Sequence, residues 1–208
     1  MENDVKEFLS ELLKQLKSID YIKPEDIPNI DLYMDQLTTF MDEQLAASKR
    51  YESDKILTKT MINNYAKNNL LPSPDKKKYS KEHVLTLLFI YYFKNILSIN
   101  DIRSILNPLT EKYFGNDDGF TMQDVYTEVF SLEAEESQKL LKDLGKKYKI
   151  AGETFEDFPD EDQKFLHTFS FICMLSFDVY IKKMLIERMI DNLNKEKEAS
   201  SSKKTGSN

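Results

Sequence analysis

Apolar residues recur at spacings of three and four along most of this 208-residue chain, which is the period of an amphipathic helix. The pattern covers residues 5–19, 31–48, 81–96 and 121–148. With only 5 Gly and 6 Pro, the chain has little material for the turns of a β-sandwich or β-barrel. The pattern therefore predicts an all-α fold.

Composition limits the compartment and the chemistry of the protein. A single Cys cannot form a disulfide within the chain, and 2 His are too few for a typical zinc cluster. The acidic first residues do not match a signal peptide, and the most apolar stretch, residues 165–181, is interrupted by polar side chains. We therefore expect a cytoplasmic protein with no membrane segment, no metal and no other cofactor.

The charge of the chain is distributed unevenly. Its net charge of −7 argues against binding to nucleic acid, but residues 49–112 carry 12 basic and 6 acidic side chains. The segments on either side, residues 1–48 and 113–208, are both acidic. Because local potential governs binding to a polyanion, the middle block can serve as a nucleic-acid surface, or it is merely a solvated one.

Residues 59–69 predict a short helix, with Thr58 placed to cap its N-terminus. One side of this helix is apolar, and the other has no carboxylate. The carboxylate-free side consists of Thr60, Asn63, Asn64 and Lys67. Asn pairs well with adenine in the major groove, while Thr58, Lys59 and Lys67 can hold the helix against phosphates. The helix is therefore a candidate for reading a DNA groove.

The next ten residues, LLPSPDKKKY, cannot be helical through Pro72 and Pro74. They have the length of a short β wing that ends in a basic cluster. The wing residues expected to contact the DNA backbone are Lys76, Lys77, Lys78 and Tyr79. Such cations release counterions from a duplex, so binding should depend steeply on salt. His83, just beyond, either faces phosphate or is an exposed bystander.

The order of these features resembles the DNA-binding domain of the MerR family of bacterial regulators. In that family the recognition helix is followed by a Leu-Leu pair, a wing ending in a basic residue and Tyr, and an apolar helix opened by Ser-x-Glu. The corresponding residues here are Tyr65, Leu70-Leu71, Lys78-Tyr79, Ser80-Lys81-Glu82 and the closing run Leu97 to Ile102. Over residues 30–109 the chain is most similar to an uncharacterised bacterial family of MerR-like proteins, known only as a domain of unknown function.

The resemblance implies a winged helix-turn-helix fold, but the chain departs from it in three places. Asn63 and Asn64 stand where MerR domains usually carry Arg and Tyr, and both of those usual residues commonly contact the DNA backbone. The wing is shorter than usual, and an insertion, residues 46–56, separates the first helix from the second. These departures leave open a degenerate fold kept for protein contacts.

We expect four segments: an N-terminal helix and linker (1–29), a winged helix-turn-helix domain (30–112), a C-terminal helical domain (113–195) and a disordered tail (196–208). The last helix, residues 161–195, is apolar around much of its circumference. It is either the core of a monomer or the contact between two copies, and the resemblance favours a homodimer.

No arrangement of residues indicates catalysis. Cys173 lies in an apolar setting typical of a core residue, and His167 fits packing or surface better than catalysis. The sequence thus predicts a transcriptional regulator that binds double-stranded DNA and is not an enzyme, with an effector that the sequence does not identify. The alternative is a helical adaptor that binds another protein through its acidic flanks and its apolar last helix.

Overall fold

The computed structural model describes residues 21–116 and 118–205. Over these residues it is mainly helical, as predicted, with one two-stranded antiparallel sheet. The helices are α1 (Met34–Gln44), α2 (Lys59–Lys67), α3 (Lys81–Phe93), α4 (Ile99–Tyr113), α5 (Met122–Ser131), α6 (Glu133–Gly152) and α7 (Asp160–Thr205). The strands are β1 (Leu32–Tyr33) and β2 (Lys78–Tyr79), and short 3₁₀ turns cover Pro24–Asp26 and Ala46–Ser48. The helix predicted for residues 5–19 lies outside the described residues.

The chain divides into two compact units between Leu132 and Glu133, and not at residue 112 as expected. The reason is that α5 packs on α3. The Tyr126 ring meets the Phe89 ring edge-on at 5.5 Å between centroids. The Tyr126 hydroxyl also donates to the carbonyl oxygen of Ile22 at 2.8 Å, which fixes the start of the described chain to the same unit.

The core of the first unit is built around α3, in which every residue from His83 to Tyr91 is buried. Such a helix lacks a polar side, so from Val84 to Tyr91 the sequence is an apolar run that only Thr86 interrupts. Each of the other α-helices described in this unit also contributes fully buried side chains, namely Leu37, Met41, Ile62, Ile102, Leu106, Met122 and Tyr126. These contacts fix α2 on the core by its apolar side.

The sheet connects the start of α1 to the segment that precedes α3. β1 and β2 are antiparallel, with Leu32 opposite Tyr79 and Tyr33 opposite Lys78. The sheet is therefore formed between distant parts of the chain. A single bridge, between Asp75 and Lys78, closes the turn before β2.

The second unit contains α6 and α7, which pack against each other. The rings of Tyr148 and Phe171 lie 5.1 Å apart, and Lys147 forms an ion pair with Asp178. His167 Nε2 lies 2.8 Å from the carbonyl oxygen of Thr154, which gives it a packing role. The last helix continues to Thr205, so it includes residues 196–205 of the segment that composition predicts to be a disordered tail.

Pro108 lies inside α4, where the buried side chains of Ile102 and Leu106 hold the helix across the missing backbone donor. One further expectation differs from the structure. Cys173 is exposed and not in the core. It lies about 200° around α7 from the buried Phe171, on the other side of the helix. No helix in the described part of the chain combines the length and apolar character that crossing a membrane requires.

Candidate nucleic-acid interface

The two sides of α2 differ as the sequence predicted. Ile62 and Tyr65 are buried, and burial raises the pKa of the Tyr65 hydroxyl. The carboxylate-free side is exposed at Thr60, Asn63, Asn64 and Lys67. This side offers two amides, a hydroxyl and an ammonium, which are groups that hydrogen-bond to base edges and phosphates.

The N-terminus of α2 is capped by Thr58. Its hydroxyl accepts the backbone N–H of Met61 at 3.2 Å, as expected for a residue in this position. Lys59 follows as the first helical residue, and its ammonium forms an ion pair with Asp35 in the first turn of α1. Thr58 is thus partly engaged in capping, whereas the side chain of Thr60, the second residue of the helix, is exposed.

Residues 75–78 form the lysine turn, which is the tip of the expected wing. The backbone N–H of Lys78 donates to the carbonyl oxygen of Asp75 at 2.7 Å. Lys76 and Lys77 have φ values of 46° and 66°, so both central residues are left-handed, as in a type I′ turn. Asn and Gly are the residues that usually occupy these positions. Two lysines here are conformationally costly, which is common where a turn serves a binding function.

The lysine turn and the start of α2 lie against the same short segment, residues 33–35. Lys78 Nζ is 5.4 Å from the centroid of the Tyr33 ring, directly across the sheet. Two residues later, Asp35 pairs with Lys59 of α2. The residues that the sequence assigned to one interface are therefore connected through the beginning of α1.

Tyr79 and His83 are buried beside the lysine turn. Tyr79 is 4% exposed, and its ring meets the His83 ring edge-on at 5.5 Å. His83 is 5% exposed, so it is neither phosphate-facing nor an exposed bystander. Both side chains fix β2 on the core, because they fill the space between the sheet and α3. Tyr79 therefore has almost no exposed surface with which to contact a duplex.

Tyr33 and Arg103 lie beside the predicted site residues, and sequence reasoning missed them. Tyr33 is more than half exposed next to Lys78. Arg103 Nε donates to the carbonyl oxygen of Asn68 at 3.0 Å, which places its guanidinium at the C-terminal end of α2. A two-residue strand gives no periodic signal, and Arg103 reaches α2 only through packing across 35 residues of sequence.

Comparison with known proteins identifies the family. The family model described as "Domain of unknown function (DUF1836)" matches residues 22–129. The chain belongs to this family. The DUF1836 match ends within α5, close to the end of the first unit at Leu132. No curated protein and no solved structure matched the chain. Within the described residues, no group of three or more His, Cys, Asp or Glu side chains is arranged to hold a metal ion.

Proposed function

We propose that this protein is a transcriptional regulator that binds double-stranded DNA with α2 and the lysine turn. The observation that carries the proposal is the exposed, carboxylate-free side of α2. Asn63 and Asn64 would meet base edges, and Thr60 and Lys67 would position the helix. A helix surface that is merely solvated usually mixes Glu with Lys. The absence of carboxylates from the exposed side of α2 therefore favours a polyanionic partner.

The lysine turn would act as a short wing beside α2. Lys76 and Lys77 are exposed at the tip of the turn. Their contact with phosphates would offset the conformational cost of two left-handed lysines. In this proposal β1, α1, α2 and β2 correspond to the winged helix-turn-helix of MerR-like proteins, with residues 46–56 as an insertion between its helices.

We also propose that two copies associate through α7. Phe165, Phe169, Ile172 and Val179 are exposed on one side of this helix, at spacings of four, three and seven residues. Those are the intervals of a coiled-coil seam. Phe171, on the side that meets α6, is buried. A dimer would bring two DNA-binding units to neighbouring half-sites.

The same apolar stripe supports a second candidate function, a helical adaptor that binds a different protein. The two candidates differ in which surface is used. An adaptor would work through α7 and would not need the lysine turn, whereas a DNA-binding regulator needs both α2 and the turn.

The test is a fluorescence titration of labelled random-sequence duplex DNA at two salt concentrations. The neutralised variant is Lys76→Asn/Lys77→Gly/Lys78→Gln, since Asn and Gly accept the left-handed backbone and Ala does not. We expect the original chain to bind more weakly at high salt, and the variant to lose affinity and to show a shallower salt dependence. Binding that ignores salt, or a variant with unchanged affinity, would refute DNA recognition by this surface.

A further inference from the structure

The loop between α1 and α2, residues 49–55, is fixed to the core at both ends. Just before it, the Ser48 hydroxyl hydrogen-bonds to the Tyr91 hydroxyl. Just after it, Lys94 Nζ donates to the carbonyl oxygen of Ile56 at 2.7 Å. Lys94 Nζ also lies 4.9 Å from the centroid of the Tyr91 ring, so these anchors belong to one cluster at the end of α3. Because both ends of the loop are anchored, its position relative to the core is fixed.

The tip of this loop presents an arginine stacked on an aromatic ring. The Arg50 guanidinium carbon lies 5.2 Å from the centroid of the Tyr51 ring, and both side chains are exposed. The Tyr51 backbone N–H donates to Asp54 Oδ2 at 3.0 Å, and the Asp54 N–H donates back to the Tyr51 carbonyl at 2.9 Å. The Asp54 carboxylate is thus used within the turn. In the part of the chain that the structure describes, Arg50 forms no ion pair with a carboxylate.

The end of the loop adjoins the start of α2. Lys55, Thr58 and Lys59 line one side of a cleft of about 440 Å³, and Asp42 and Glu43 of α1 line the other. The cap of α2 and the last residue of the loop therefore border the same space. A duplex lying along the exposed side of α2 would extend past this end of the helix.

We propose that Arg50 and Tyr51 form an additional contact with the phosphate backbone of the duplex. This proposal rests on the DNA binding proposed above. Arg50 would donate two parallel hydrogen bonds to phosphate oxygens, and the Tyr51 ring would hold the guanidinium plane in place. Because the loop is already anchored, little conformational entropy is lost on binding. Glu52 is exposed in the same loop, and it would repel the same phosphates.

Three substitutions in the full chain test this contact, and each changes the net charge by one unit. They are Arg50→Gln, Glu52→Gln and, as a control on the exposed surface of the second unit, Lys149→Gln. The measurement is the affinity for labelled random-sequence duplex DNA over a series of NaCl concentrations. We expect Arg50→Gln to weaken binding and to reduce the slope of log K against log salt by about 0.9, the value for one phosphate. Glu52→Gln should tighten binding, and Lys149→Gln should leave affinity unchanged.

The outcomes separate this contact from the function on which it rests. If Arg50→Gln and Glu52→Gln both match the original chain while the lysine-turn variant binds weakly, the loop contact is refuted and DNA binding remains. If all three substitutions shift affinity only according to their net charge, the loop contact is again refuted. If the original chain binds no duplex at any salt concentration, the proposed function itself fails. An Arg50→Lys variant that keeps the salt slope but binds more weakly supports the two-bond geometry.

Discussion

His83 Nδ1 accepts the backbone N–H of Ser80 at 3.0 Å, and this bond joins the end of β2 to the first turn of α3. An imidazole nitrogen can accept only when it carries no proton, so the bond requires the neutral ring with its proton on Nε2. Nε2 is buried and forms no hydrogen bond with the described residues. Burial lowers the pKa of His83, because it disfavours the charged ring. The backbone groups of Ser73 and Pro72 and the negative charge of Asp31 raise this pKa, but by less than burial lowers it.

The first prediction is a loss of stability of the first unit in mild acid. The pKa of His83 lies below its ordinary value of 6.5 in the folded protein, so the unfolded chain binds more protons as the pH falls. The stabilisation is present above pH 6.5 and is lost as the pH falls from there through the folded pKa. The free energy of unfolding should decrease by at most about 1.4 kcal/mol per pH unit for this one proton. Urea titrations followed by tyrosine fluorescence between pH 8 and 5 would measure it.

Asn provides the matched control, because the oxygen of its side chain can accept the Ser80 N–H and does not titrate. His83→Asn should flatten the pH dependence between pH 6.5 and the folded pKa. His167→Asn changes the other histidine of the chain, which lies in the second unit, and should leave the pH dependence of the first unit unchanged. If the two variants give the same pH profile, the titrating group is not His83.

The second prediction compares substitutions at two adjacent residues of α2, one on its buried side and one on its exposed side. Ile62 is fully buried, so Ile62→Ala should lower the free energy of unfolding by about 2–5 kcal/mol. Asn63 is exposed, so Asn63→Ala should change stability by less than about 0.5 kcal/mol. In DNA titrations on folded protein, Asn63→Ala should bind more weakly. An Asn63→Ala variant with the original affinity would exclude this side of α2 from the interface.

The third prediction concerns a conflict between stability and binding in the lysine turn. Lys76 and Lys77 both have left-handed backbones, which cost a residue with a Cβ atom about 1–2 kcal/mol each. Lys76→Asn/Lys77→Gly restores the residues that this turn prefers and should therefore raise the free energy of unfolding by about 1–2 kcal/mol. The same double variant should bind DNA more weakly and with a lower salt slope. A variant that gains no stability would show that the lysines occupy the turn without cost.

What the sequence could predict depends on how local the determining interactions are. Thr58, Ile62 and Asn63 lie within six residues, so the cap and both sides of α2 follow from spacing and side-chain chemistry alone. The burial of His83 and Tyr79 does not follow from local spacing, because the residues that cover them belong to other elements. Phe114 meets the His83 ring edge-on at 4.7 Å, and the Leu32 that faces Tyr79 is even farther away in sequence.

The boundary of the first compact unit, at Leu132, differs from the boundary expected at residue 112 for a similar reason. The hydrogen bond from Tyr126 to Ile22 spans 104 residues, and no local pattern indicates it. The two-residue strands are likewise too short for any period to be detected, although the position of Lys78 and Tyr79 after Pro72 and Pro74 indicated a short β segment there. Features that depend on residues close together in sequence could be predicted, whereas features that depend on tertiary contacts could not.

The last prediction concerns the apolar stripe of α7. Phe169→Glu places a charge within the seam proposed between two copies, where burying an unpaired carboxylate is unfavourable. Light scattering on the original chain should give twice the 24.4 kDa of a single chain, and on Phe169→Glu it should give 24.4 kDa. Lys164→Glu, at an exposed polar position on the same helix, is the control and should stay dimeric. A 24.4 kDa species for the original chain at micromolar concentration would contradict the dimer, and the stripe would then favour a different protein as its partner. Because DNA contacts of one unit do not require a second copy, Phe169→Glu should weaken but not abolish binding to random duplex, which separates loss of pairing from loss of the interface on α2.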